Sequence, residues 1–376
     1  MSSPRLVAII GGTGAQGVPV VRDLLQSGEY AVRVLTRDTN SARFKELQTF
    51  GAVDSVIGSF ASEESLRATF RGAWGAFVNI DGFNSGEKTE IFWTIRGEIF
   101  FYDAWELAIE EGVQFYVHGN LDYGYKKGGF RPEFRSGHYD AKGRLGEFIL
   151  SQNREAAVRS RMRSAVFTTG PYMEMALGKG TPFQPAVEDG AATWRAPLGP
   201  DGAVPFVALD DVGVYVKYLF DHADSGEADG LDLQVAIEHV TIDALARAFT
   251  KVTGKPARWI DNDVDEHMDL VWGRGADTPA GYNADPNDAA TMTLRRNFTG
   301  FFNLWRHSGG NKGVIQRDYA LLDRIHPGRI RSVEEWLRRE NEKGLKSGLG
   351  DLWERIQPEK LGYVLKISED GRKGKI

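Results

Sequence analysis

The heptapeptide Gly11-Gly12-Thr13-Gly14-Ala15-Gln16-Gly17 lies between an apolar stretch, RLVAII at 5–10, and VPVVRDLLQSG, whose apolar residues recur at helical spacing. A strand, a glycine turn and a helix in that order restrict the fold more than any other feature of the chain. Glycine allows positive φ and lets backbone approach a phosphate closely. The helix that follows offers unpaired N–H groups and the positive end of its dipole. The turn is expected to cradle a pyrophosphate through Gly11, Thr13, Gly14, Ala15, Gln16 and Gly17. The alternative is a βα turn that is merely tightly packed.

The alternation continues. YAVRVLTRD, VDSVIGS, WGAFVNID, VQFYVHGN and SAVFTTGPY read as strands, separated by helical segments that include FKELQTFG, SEESLRATFRG, a long block KTEIFWTIRGEIFFYDAWELAIEEG and AKGRLGEFILSQ. This pattern predicts an α/β fold: a doubly wound parallel, Rossmann-like sheet with right-handed crossovers. After Tyr172 glycine and proline recur, which predicts a smaller, loop-rich α/β C-terminal substrate lobe. Within it DDVGVYVKYLFDHA and TIDALARAFTKVTG read as helices, with a strand near LDLQVAI. SVEEWLRRENEKG reads as a late helix opened by a capping box, Ser332 to Glu335. Residues 273–291 read as a mobile loop and SEDGRKGKI as a frayed end.

The end of the second strand discriminates between dinucleotides. An NAD site requires a carboxylate there for the ribose 2′-hydroxyl. This chain has Thr36-Arg37, with Asp38 one place later. A guanidinium can pair with a 2′-phosphate and stack on adenine, so NADP is the expected cofactor. Ser59 and Phe60 follow the third strand, where adenine packs. Asn79 ends the fourth strand and Gly170-Pro171-Tyr172 ends the sixth, which completes the expected cofactor contacts. Residues 1–172 are therefore expected to form an NADP-binding domain that regains elements from 205–240. Residues 173–376 are expected to form the interleaved substrate or partner lobe.

Composition narrows the alternatives. With 376 residues, 41% of them hydrophobic, the chain can bury a large core. A net charge of -6 does not suggest a nucleic-acid surface. The absence of cysteine excludes disulfide and thiolate chemistry. No zinc or calcium spacing occurs among the His and Asp residues, so no metal is expected. No apolar run approaches the ~20 residues of a membrane span, and the N-terminal residues do not read as a signal peptide. A cytoplasmic protein is expected, without membrane or nucleic-acid partners.

Several stretches together resemble the NmrA-like family of atypical short-chain dehydrogenases over roughly residues 5–340. They are GGTGAQG with TRD, GSFASEESLRATFRGAWGAFVNI, HYDAKGRLGEFI, GPYMEM and ATWRAPLGPDGAVPFVALDDVGVYV. The resemblance implies a Rossmann-like fold and a nicotinamide dinucleotide. Some members of the family are redox-sensing regulators and others are reductases or biosynthetic enzymes. In the wider superfamily a Tyr precedes a Lys by four residues on one helix face. Here Lys142 takes the lysine place, so the resemblance implies that it contacts the cofactor at the nicotinamide ribose; His138 takes the tyrosine place, and His118-Gly119-Asn120 stands where a serine is usual.

Three readings follow. His138 serves as proton donor beside Lys142, Tyr139 reaches the site from the neighbouring helical position, or no donor is needed because the protein only binds NADP(H). Asn120, Tyr123 and Tyr125 follow the fifth strand at the ligand-binding edge and are further candidates. Met173 and Met175 could wall the site. Trp194, Trp259, Trp272 and Trp305, with Phe298, Phe301 and Phe302, could line a pocket for a flat ligand, form the lobe's core or face a partner. The expectation is an NADP(H)-dependent, oxidoreductase-like enzyme acting on a small apolar or aromatic molecule. It would reduce a C=O, C=C or C=N group, or carry out a non-redox biosynthetic step with NADP as fixed architecture. The alternative is a non-catalytic regulator that binds NADP(H) and a protein partner.

Overall fold

The computed structural model describes residues 3–80, 104–281, 287 and 291–365. Strands β1 (Arg5–Ile10), β2 (Tyr30–Thr36), β3 (Val53–Ile57), β4 (Gly75–Val78), β5 (Phe115–Leu121) and β6 (Arg163–Thr169) form a parallel sheet. Strand β10 (Asp232–Gln234) joins it beside β6, and the order is β10-β6-β5-β4-β1-β2-β3. The order reverses between β1 and β4, so the crevice at their carboxyl ends is where such folds bind ligands.

Side-chain alternation gives the sheet two apolar faces. Val7, Ile9, Val32, Val34, Phe77, Val117 and Phe167 bury one face against helices Gly17–Ser27 and Leu209–Asp221. Those helices touch backbone to backbone: a Cβ on Gly213 would lie 2.2 Å from the Pro19 carbonyl. Ala8, Ile10, Ala76, Val78, Tyr116 and Val166 bury the other face against helices Glu63–Phe70, Ala104–Glu110 and Gly137–Arg154.

The lobe after Tyr172 has its own core. Strands β7 (Ala186–Glu188), β8 (Ala191–Arg195) and β12 (Ala257–Ile260) form a small mixed sheet, and β9 (Val204–Phe206) pairs with β11 (Glu238–Val240). Trp194, Trp305, Phe301, Phe302 and Trp336 are buried together there. The chain leaves this lobe at Leu209–Asp221 and β10 to complete the main sheet, then returns.

Some local expectations differ from the structure. The sequence reading assigns no helix to Val264–Trp272, Leu294–Arg306 or Tyr319–Ile325, and all three are helical. The cap at Ser332 is half a capping box. Ser332 Oγ accepts from Glu335 N at 3.1 Å, while the Glu335 carboxylate reaches back to Arg331 N, one residue too early. Of the long block from Lys88 to Gly112, Ala104–Glu110 is helical and residues 88–103 lie outside the described residues. Of the expected mobile loop, Gly273–Asp277 forms a 3-10 turn, and residues 282–286 and 288–290 lie outside the described set, as does the C-terminal stretch from residue 366.

Candidate functional site

The glycine turn is built by contact. Gly11 has φ +85°, and a Cβ there would lie 2.3 Å from the Asn79 carbonyl oxygen. A Cβ on Gly17 would lie 2.2 Å from the Gly11 carbonyl. Gly14 N donates to that carbonyl at 2.9 Å. Thr13 is buried and Ala15 half-buried. The helix that follows has no side-chain cap and no acidic residue in its first turn, so its leading amides are not opposed by a carboxylate. Gln16 ties the turn to the end of β6. Its Nε2 donates to Thr169 Oγ1 and to the Tyr172 hydroxyl, each at 2.9 Å, while Oε1 is buried without a partner.

Asn79 connects this turn to the lysine. Lys142 Nζ donates to Asn79 Oδ1 at 3.0 Å and to the Ile80 carbonyl at 2.8 Å, with the Gly119 carbonyl at 3.5 Å. Lys142 is only 8% exposed. Its ammonium therefore sits over the carboxyl ends of β4 and β5, next to the turn. Gly119 must be bare for this, since a Cβ would lie 2.7 Å from that of Asn79. Beneath the lysine, His118 is buried with both ring nitrogens unpaired. Burial, helped by the Lys142 charge, holds its pKa well below the usual imidazole range.

His138 sits one helical turn before Lys142. Its Nδ1 lies 2.9 Å from Asn297 Nδ2, 3.1 Å from Asn297 Oδ1 and 3.3 Å from Ser136 Oγ. Burial pulls its pKa down to about 4 and the Lys142 charge lowers it further, while a bond from a protonated Nδ1 to Asn297 Oδ1 opposes both. At neutral pH the ring is uncharged. Tyr139 turns into the lobe's aromatic core, against Phe301 and Trp305, and burial pushes its phenol well above the usual range. Asn120 is held inside, between the sheet and the helix. Its Nδ2 donates to Thr168 Oγ1 at 2.9 Å, and a Cβ on Gly146 would lie 2.8 Å from that nitrogen. The Tyr123 hydroxyl accepts from Arg144 Nε at 3.1 Å. Arg144 is two residues past Lys142, on nearly the opposite side of the helix. The Tyr125 ring carries the Arg135 guanidinium.

On the adenine side, Arg37 is half-buried. The Asp38 carboxylate accepts from Asn40 N at 2.8 Å, which engages it in its own turn. Ser59 Oγ accepts from Ala61 N at 3.2 Å, and Phe60 packs partly buried on the sheet's second core. Gly170 is bare against the Pro205 carbonyl, 2.8 Å from where its Cβ would stand. Pro171 accepts from Val207 N, and Tyr172 pairs with Val207. Met173 is buried and Met175 partly buried in the lobe core.

The structure thus brings together Gly11, Gln16, Asn79, Lys142, Thr169 and Tyr172, with His138 adjoining. Tyr139, Asn120 and Tyr123 are engaged elsewhere. Ser136 and Asn297 are residues that the sequence reading does not single out. Among the described residues no cluster of three metal-ligating side chains occurs, and no helix is long and apolar enough to cross a membrane.

The NmrA-like family matches residues 3–268. The chain is 32% identical over 341 residues to the NmrA-like family domain-containing oxidoreductase lnaB of Aspergillus flavus, covering 84% of this chain and 96% of that one. It resembles the structure of NmrA, a negative transcriptional regulator in complex with NAD, with a TM-score of 0.67 at 15% identity over 94% of this chain and 100% of that one. It also resembles the NADPH-dependent quinone oxidoreductase QOR2 of Escherichia coli complexed with NADPH, with a TM-score of 0.63 at 16% identity over 88% and 98% of the two chains. At those identities the structural likeness concerns the fold alone.

Proposed function

The chain belongs to the NmrA-like family, and from that premise we propose that it is an NADP(H)-dependent reductase of a small apolar or aromatic molecule. The observation that carries this reading is the placing of Asn79. Its backbone oxygen abuts the bare α-carbon of Gly11, and its side chain holds the Lys142 ammonium. A dinucleotide with its diphosphate on the turn would bring its nicotinamide ribose to Lys142. The chain fits such a group: no side chain caps the start of the helix after the turn, and Gln16 Oε1 is a buried acceptor without a partner that a ribose hydroxyl would answer.

When bound, reduced nicotinamide supplies hydride. The rest of the chemistry belongs to the chain. The Gly11–Gly17 backbone holds the diphosphate. Arg37 selects the 2′-phosphate, a role favoured by Asp38 being committed to its turn. Lys142 orients the ribose. His138, neutral at pH 7, offers an N–H to the oxygen or nitrogen on which charge develops, as an uncharged hydrogen-bond donor. The aromatic lobe keeps water from the ring. Likeness in fold to a regulator does not favour sensing, because the relative matched along nearly its whole length by sequence is named an oxidoreductase.

The test is NADPH consumption in the presence of dihydroisoquinoline, naphthoquinone and cinnamaldehyde as probes for C=N, quinone and conjugated C=O groups. Turnover of at least one is expected. His138→Ala should lower kcat by about 100-fold, and Arg37→Ala should weaken NADPH by about tenfold with NADH unaffected. Absence of NADPH binding to the purified protein, or an Arg37→Ala variant that binds it as tightly as the parent, would count against the reading.

A further inference from the structure

The imidazole of His138 is gripped from the other lobe. Helix Leu294–Arg306 starts under a Thr293 cap and lies directly on the chain that enters the His138 helix. Gly300 makes this approach possible, since any Cβ there would collide with the Arg135 carbonyl. The helix delivers Asn297, 1% exposed, to His138 Nδ1. Phe298 and Phe301 from the same helix stand 5.7 and 5.9 Å from the imidazole, so the ring cannot turn away without displacing them.

A neutral imidazole carries one proton, and the bond made by one nitrogen decides whether the other is the donor. Two groups around Nδ1 have protons to offer, the Asn297 amide and the Ser136 hydroxyl. The amide nitrogen of Asn297 is the nearer end of that side chain. We infer that Asn297 is a positioning residue: its amide N–H donates to His138 Nδ1, fixes the ring as the Nε2–H tautomer, and so keeps the hydrogen-bonding proton on Nε2. The charged neighbour on the ring's own helix is Lys142, and it disfavours an imidazolium. The residues presented by the opposing helix, Asn297, Phe298 and Phe301, carry no charge. The inference rests on His138 as donor in the proposed reaction, and it adds a residue 159 positions away that sets which nitrogen donates.

The experiment reads the tautomer directly, by 15N correlation spectra of the full chain with NADP bound. The parent protein should show a protonated Nε2 and a bare Nδ1 at His138. Asn297→Leu, of similar bulk but without hydrogen bonds, should mix the tautomers and lower kcat for the reduced probe by about tenfold, with NADPH affinity and KM changed by less than about twofold. Asn297→Asp, which offers an acceptor in place of the donor, should put a proton on Nδ1. A bare Nε2 in the parent overturns the inference, as does full kcat in Asn297→Leu when His138→Ala shows its expected loss. Full turnover in both variants overturns the donor role of His138 itself, and the spectra separate that failure from a failure of the Asn297 clamp.

Discussion

Gly14 and Gly17 are three positions apart in one turn and are glycine for different reasons. A side chain at Gly17 would meet the Gly11 carbonyl at 2.2 Å and the Gly12 α-carbon at 2.5 Å, both backbone. A side chain at Gly14 would meet only the Gly11 carbonyl, at 3.1 Å, and its φ is not positive. The fold therefore demands Gly17 but demands little at Gly14, whose bareness suits the approach of a bound diphosphate. Gly17→Ala should destabilise the protein by about 1–3 kcal/mol through backbone displacement. Gly14→Ala should unfold within about 1 kcal/mol of the parent yet bind NADPH at least about tenfold more weakly. Thermal melts and titration calorimetry check both, and parental affinity in Gly14→Ala would remove the turn from the dinucleotide site.

Between elements, one buried ion pair ties the end of β5 to the late chain. Arg317 donates to both oxygens of Asp122, at 3.0 and 2.7 Å, and neither side chain has any exposure. Its Nε donates to the Val235 carbonyl just past β10, and Lys127 adds a third contact to Asp122. Burial alone would raise the Asp122 pKa, but the two cations and their hydrogen bonds outweigh it and hold the carboxyl far below the usual range. Its contribution is thus present above the unfolded pKa of about 3.9 and is lost only as pH falls through the depressed native value. Arg317→Met should cost about 3 kcal/mol in urea unfolding, because it leaves a buried carboxylate with Lys127 as its one remaining cation among the described residues. Pairing it with Asp122→Asn should recover much of that loss. None of this is legible in the sequence, since 195 residues separate the partners. The strand–helix alternation is legible because each unit is local, and so is the His138–Lys142 spacing on one helix. Helix Leu294–Arg306 was within reach: Phe298, Phe301, Phe302 and Trp305 fall at i, i+3, i+4 and i+7, but their aromatic density invites a reading as pocket lining. Asn297 opens that stretch, and nothing local marks it as the partner of a histidine in the other half of the molecule.

At the scale of the whole molecule, the buried titratable groups set how stability depends on pH. Burial is the leading cause of a lowered pKa at four imidazoles, to about 4 at His138, His239 and His267 and well below the usual range at His118. An unfolded histidine titrates near about 6.5, so between that value and about 4 the unfolded chain binds more protons than the native one, and stability falls with acid. Glu174 acts in the opposite sense. One of its oxygens accepts from Leu209 N at the start of helix Leu209–Asp221, the other is buried without a partner, and burial pushes its pKa up to about 8. From its unfolded value of about 4.3 up to the native value, the native state holds the extra proton, so stability falls as pH rises. Asp211 and Glu238, also raised by burial, add to that trend over its lower part. Below about pH 7 the four histidines outweigh these carboxyls, and well above it Glu174 acts nearly alone. Urea midpoints should therefore rise between about pH 5 and 6.5, peak near neutrality and decline towards about pH 8. Glu174→Gln, which keeps the acceptor for Leu209 N, should abolish the alkaline decline and leave the acid limb intact. His267→Phe should flatten the acid limb by roughly one proton's worth, about 1.4 kcal/mol per pH unit. The two limbs arise from different places, the acid one chiefly from the lobe and the His–Lys helix, the alkaline one from the joint where the chain re-enters the main sheet. If Glu174→Gln leaves the alkaline slope and His267→Phe leaves the acid slope as they are in the parent, the burial of these groups does not govern the stability of this protein.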